Sequence, residues 1–206
     1  MGQGRHEGHL GEVYAAQGSD AVAQSYDAWA ESYDADMAAK GYRHPAVCLA
    51  LLSRYLPRGA GPVLDAGCGT GLIGSWLGIV GYPEADGLDL SEGMLAVARR
   101  KGVYRALHRA ALGMSLPFAD GAFAGIVSAG VFTTGHVGPE GLDELARICR
   151  KGGAMVVTVK QPLWEGRFAE HAAGIGLRLV EATQPYVSMP GEEGTVPSLA
   201  VAYIRD

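Results

Sequence analysis

An acid, Asp65, stands two residues before the first of three alternate glycines, Gly67, Gly69 and Gly71, and a second acid, Asp89, closes the next apolar run. Glycines adopt backbone angles closed to other residues, and lacking side chains they let a ligand lie against the main chain. A turn of this kind delivers free N–H groups at a helix N-terminus, where a carboxylate or phosphate is favoured. Asp65 adds an acceptor suited to an ammonium group, so the ligand implied carries both charges. Asp89 ends Gly87-Leu88-Asp89-Leu90-Ser91, where an acid about 20 residues past the turn can accept from both hydroxyls of a ribose. Its alternative role is that of a helix N-terminal acid beside the cap Ser91, which needs no ligand.

A zwitterion joined to a ribose describes S-adenosylmethionine. A dinucleotide is the competing ligand, because Gly69-Thr70-Gly71-Leu72-Ile73-Gly74 also fits the G-x-G-x-x-G fingerprint. That reading leaves Asp65 facing phosphate charge, whereas the first one uses every residue of the pattern.

The elements needed to hold these residues are legible around them. Val63-Leu64 reads as a short buried strand leading into the turn, Ser91 to Arg100 as a helix, and Val156 to Val159 as a strand. A helix opening at Pro139 has Glu140 in its first turn, and Arg147, Arg150 and Lys151 followed by Gly152-Gly153 at its close. Alternating strands and helices are the pattern of a doubly wound, mostly parallel sheet. Residues 1–18 are glycine-rich and polar. Residues 19–56 read as helices, the first capped by Ser19-Asp20 and another opened by Pro45. Two further strands are expected near 178–182 and 200–204. The Gly/Pro-rich loop between them, Tyr186 to Pro197, is too long for a tight hairpin and reads as a rim, a lid or a mobile surface loop.

Asp65-Ala66-Gly67-Cys68-Gly69-Thr70-Gly71 resembles the nucleotide motif of class I S-adenosylmethionine-dependent methyltransferases, and Asp89-Leu90-Ser91-Glu92-Gly93-Met94 resembles their second motif. Leu116-Pro117-Phe118, the run Ile126-Val127-Ser128 and the turn Arg150 to Gly153 resemble that superfamily's later strands. Tyr26 to Tyr33, Gly41 to Pro45 and Ala111 to Gly113 look like the Williams-Beuren-region methyltransferase-like subgroup. The resemblance implies a Rossmann-like α/β fold with a seven-stranded sheet and helices on both faces. It also implies a lid segment over 1–56, a core over 57–206, and S-adenosylmethionine binding by Asp65, Gly67, Cys68, Gly69, Gly71, Asp89, Leu90, Met94, Ala111, Leu112, Ser128, Tyr26 and Tyr33. Two departures stand out. Ala110-Ala111-Leu112 replaces an acid that in many relatives accepts from the adenine amine, leaving adenine to backbone groups or to Leu90, Met94 and Leu112. Ala124 replaces an aspartate that usually follows Phe123.

With 206 residues and 48% hydrophobic content, the chain fits one domain with a sizeable core. Its mean hydropathy is +0.08. A net charge of -5 with 17 Lys+Arg argues against nucleic acid as a partner. Three dispersed cysteines fit a reducing, cytoplasmic setting. His6 and His9 lack a third ligand at metal spacing, so no metal is expected, and neither a membrane-length apolar run nor a signal pattern is present. Met1-Gly2 begins like a myristoylation signal, but His6 holds its Ser/Thr position.

On a continuous helix Tyr26, Trp29 and Tyr33 would share a face, as a lid over the cofactor or as ordinary packing. His136, after the fourth strand, is the candidate general base, with a pocket-lining histidine as its plainer role. The expected function is methyl transfer to an O or N atom, possibly S, of a small molecule. A non-catalytic S-adenosylmethionine-binding regulator and a protein N-methyltransferase are the alternatives. Residue patterns do not select the acceptor or distinguish monomer from homodimer.

Overall fold

The computed structural model describes residues 8–16, 18–133 and 137–206. Four helices lead into the sheet: α1 (Gly8–Ala15), α2 (Ser19–Trp29), α3 (Tyr33–Ala39) and α4 (His44–Tyr55). Strands and helices then alternate through β1 (Val63–Ala66), α5 (Gly74–Leu77), β2 (Ala85–Asp89), α6 (Glu92–Lys101) and β3 (Ala106–Arg109). They continue through β4 (Phe123–Phe132), α7 (Gly141–Ile148) and β5 (Cys149–Lys160). A short α8 (Gln161–Leu163) runs through a π turn into α9 (Ala169–Gly174), followed by β6 (Leu177–Ala182) and β7 (Ser198–Arg205).

The seven strands lie in the order β3-β2-β1-β4-β5-β7-β6. β7 runs antiparallel to both β5 and β6, while the other pairs are parallel. Winding reverses between β1 and β4, the switch point beyond whose carboxyl ends such sheets bind ligands. The glycine turn leaves β1 at that point. All four residues of β1 are buried, as a strand covered on both faces requires.

Neighbouring residues on the central strands point to opposite faces. Val127 and Val156 pack with Cys48 and Leu52 of α4 and Leu77 of α5. Ile126 and Met155 pack on the other face with Leu142 and Leu145 of α7 and Ala172 of α9. α4 is therefore a wall of the sheet, and the segment left to cover a ligand site is α1 to α3. Those helices gather Leu10, Val13, Trp29 and Met37 into a small core of their own, which the late loop completes with Met189.

The start of α2 differs from the expected Ser19-Asp20 cap. Gly18, at φ 82°, occupies the cap position, and no side chain accepts there. The chain also breaks between α2 and α3, so Tyr26, Trp29 and Tyr33 do not share one helical stripe. Trp29 pins the junction: its ring is 2% exposed, its indole N–H donates to Asp36 at 2.6 Å, and Tyr33 meets it edge-on at 4.8 Å.

The 186–197 loop is fastened across this N-terminal layer. The Arg43 N–H donates to the Ser188 carbonyl at 2.9 Å, the Gly191 N–H donates to the Lys40 carbonyl at 3.1 Å, and Lys40 pairs with Glu192.

Candidate active site

A cavity of about 240 Å³ opens beyond the carboxyl ends of β1, β2 and β4. Gly67 and Gly69 face it, with Asp89, Leu90 and Met94 from the β2–α6 corner, Ala111 and Leu112 after β3, and Tyr26 and Tyr33 from above. Gly67 has φ 80°, and a Cβ there would lie 2.2 Å from a Val131 methyl. Gly69 has φ 52° with nothing within 4 Å of its Cβ position, leaving bare backbone toward the cavity.

Asp89 is held by both carboxylate oxygens. Oδ2 accepts from the Gly69 N–H at 2.8 Å and Oδ1 from the Ser91 N–H at 2.9 Å. An ionised carboxylate has about four acceptor positions, so each oxygen retains capacity for a further donor. Burial pushes the Asp89 carboxyl above its ordinary value, and the backbone N–H groups of Ser91, Gly69 and Leu90 oppose that rise.

Ser91 caps α6, its hydroxyl oxygen accepting from the Met94 N–H at 3.0 Å. The hydroxyl donates in turn to Asp27 of α2 at 2.5 Å, and the same Asp27 oxygen accepts from the Gly93 N–H at 2.8 Å. A carboxylate from α2 thus completes the N-terminus of α6 beside Asp89. At the turn itself, the Thr70 hydroxyl donates to Asp34 of α3, which also pairs with Lys101.

Four residues named from the sequence lie behind the cavity. Asp65 is 1% exposed and accepts from the Tyr104 hydroxyl at 2.5 Å. Burial raises its pKa to about 7, with the Tyr104 hydrogen bond opposing and the Asp89 charge adding to the rise. Its side chain braces the turn and is not among the residues that line the cavity. Cys68 is buried beneath the turn, Gly71 faces Val103 and Tyr104, and the Ser128 hydroxyl donates to the Ala66 carbonyl at 2.7 Å. His136 lies outside the described residues.

Sequence reasoning missed Val22, Gly130, Val131 and Val137, which also line the cavity. Only Gly130, at the end of β4 with φ 78°, carried a local signal. The others are ordinary apolar residues brought there by tertiary packing.

A second, inner cavity of about 40 Å³ adjoins the first beneath α1 to α3. Tyr26, Tyr33 and Gly130 wall both spaces. Its remaining lining includes Trp29, Tyr42, His44, Lys160 and Met189. His44 is buried, with Nδ1 hydrogen-bonded to the Tyr186 hydroxyl at 2.7 Å. Burial, reinforced by the Lys160 charge, lowers its pKa to about 3, which keeps the ring neutral.

The methyltransferase domain family matches residues 64–157. Human methyltransferase-like protein 27 is 35% identical over 131 residues, covering 61% of this chain and 52% of that protein. A TehB-like S-adenosylmethionine-dependent methyltransferase from Corynebacterium glutamicum has a TM-score of 0.66 at 26% identity, over 89% of this chain and 99% of that one. The [4+2]-cyclase SpnF shares the fold, with a TM-score of 0.72 at 16% identity over 92% of this chain and 97% of that one. The chain spans about half the length of human methyltransferase-like protein 27 and of a Bacillus subtilis relative. Together with the glycine turn and the Asp89 corner, these likenesses make the chain similar to class I S-adenosylmethionine-dependent methyltransferases. S-adenosylmethionine is the cofactor of this class. The residues present fit it: bare backbone at Gly69, spare acceptor capacity on Asp89, and apolar walls from Leu90, Met94 and Leu112 for a base.

Proposed function

We propose that this protein transfers a methyl group from S-adenosylmethionine to an O, N or S atom of a small molecule. The observation that carries the proposal is the shared wall of the two cavities. The Asp89–Leu112 corner suits the nucleoside, which directs the methionine end toward Gly67 and Gly130, and Gly130 also borders the inner cavity. An acceptor there would meet the methyl from across the wall at Gly130.

The cofactor supplies an electrophilic methyl on a sulfonium. In-line displacement forms the acceptor–carbon bond as the sulfur–carbon bond breaks, leaving a neutral thioether, and the acceptor's proton passes to solvent or to a base. The chain's part is alignment and exclusion of water. Tyr26, Trp29 and Tyr33 supply the cover, and Asp27 and Asp34 tie that cover to α6 and to the glycine turn. His136 is our candidate base for acceptors that must lose a proton before attack.

The net charge of -5 supports a substrate other than nucleic acid. No described helix is long and apolar enough to cross a membrane, and we place the protein in the cytoplasm. The deciding experiment follows S-adenosylhomocysteine release from purified protein supplied with cell extract fractions separated by mass. Product formed with the low-mass fraction supports the proposal. Product formed only with protein fractions selects protein methylation, and binding without product in any fraction selects a regulator.

A further inference from the structure

Lys160 ends β5 inside the inner cavity, 7% exposed. Its ammonium donates to the Val196 carbonyl at 2.9 Å. No carboxylate among the described residues lies within ion-pair distance of it. An ammonium has three N–H donors, so this hydrogen bond leaves donor capacity facing the cavity. Burying a charge without a counter-charge is costly, and desolvation alone lowers the Lys160 pKa to about 8. The titratable neighbours are neutral near pH 7: His44 is held far below its ordinary value and the Tyr42 and Tyr186 phenols far above theirs, all by burial first.

We infer that Lys160 is a specificity residue that binds an anionic group of the acceptor, a carboxylate in the first instance. The inference rests on the methyl-transfer reading and adds the acceptor's chemical class. The remaining walls support it. Rings and a thioether from Trp29, Tyr42 and Met189 alternate with the hydroxyl residues Thr158, Ser188 and Ser198, and Lys160 is the cation among the described residues of that lining. The volume of about 40 Å³ suits a head group, while the rest of the acceptor would lie along the wall shared with the larger cavity.

Benzoate and its neutral isostere benzamide are the probes, titrated calorimetrically into protein saturated with S-adenosylhomocysteine. The variants are Lys160→Met and Lys160→Gln. The glutamine keeps a donor for the Val196 carbonyl without the charge, separating loop anchoring from anion binding. Wild type is expected to bind benzoate saturably and more tightly than benzamide, and Lys160→Gln to weaken benzoate by roughly tenfold or more with benzamide unchanged. Equal benzoate affinity in wild type and Lys160→Gln, or no saturable benzoate binding to wild type, overturns the inference provided S-adenosylhomocysteine binds both proteins. Failure of S-adenosylhomocysteine to bind wild type overturns the methyl-transfer reading instead.

Discussion

The Tyr104 hydroxyl joins two parts of the glycine turn, donating to Asp65 at 2.5 Å while accepting from the Gly74 N–H at 3.2 Å. β1 and the start of α5 are thereby held in register through one phenol from the chain before β3. Tyr104→Phe leaves a buried acid and a backbone N–H without their partner, a loss of about 1–3 kcal/mol. Thermal denaturation is expected to show it, together with weaker S-adenosylmethionine binding measured by calorimetry.

Asp65 and His44 give stability two opposing pH slopes. Asp65, raised from 3.8 to about 7, binds more protons in the folded state, so its contribution is full at low pH and lost as pH rises through that window. His44, lowered from 6.5 to about 3, binds fewer, so its contribution is present above 6.5 and lost as pH falls toward 3. Asp65→Asn is expected to remove the first slope, leaving stability that rises more steeply between pH 4 and 6.5 than in wild type. Urea denaturation at stepped pH measures both curves, and parallel curves would refute the Asp65 assignment.

Asp89→Ala is expected to weaken S-adenosylmethionine by roughly 10- to 100-fold, the loss of hydrogen bonds to a charged acceptor. Because Asp89 also receives the Gly69 and Ser91 N–H groups, the variant should melt earlier than wild type while still folding. Calorimetry with a parallel melt separates the two effects. Unchanged cofactor affinity in the folded variant would remove Asp89 from the ribose site.

Gly93 lets α2 pack close against α6: a Cβ there would sit 2.9 Å from the Asp27 Cα and 3.1 Å from its carbonyl oxygen. Gly93→Ala is expected to push α2 off α6 and weaken cofactor binding several-fold. Hydrogen exchange should quicken across residues 19–40 while the central strands stay protected. In wild type, S-adenosylhomocysteine should slow exchange over those same residues. Equal exchange with and without ligand would leave Tyr26 and Tyr33 a packing role only.

Much of the lining of the larger cavity was legible because its residue types are dictated locally. Gly67 and Gly69 need backbone freedom, and Asp89 ends its strand beside the cap Ser91. Asp65 was read from type alone as a ligand to ammonium, yet its neighbour Tyr104 comes from a distant segment that no local spacing announces. The burial of the Lys160 ammonium has no local signal for the same reason: it arises only where the 186–197 loop and α1 to α3 fold over the end of β5. The fold was readable through its alternating strand and helix signals. The break between α2 and α3 was not, because the aromatic spacing at Tyr26, Trp29 and Tyr33 resembles an unbroken helix.

Tyr26 and Tyr33 border both cavities, and this gives the enzyme a single doorway with two tenants. Lifting the α2–α3 corner far enough to exchange the nucleoside also unroofs the inner chamber. Closing it over one occupant confines the other. Under the proposed function, spent cofactor and methylated product would share one opening event at the corner between α2 and α3.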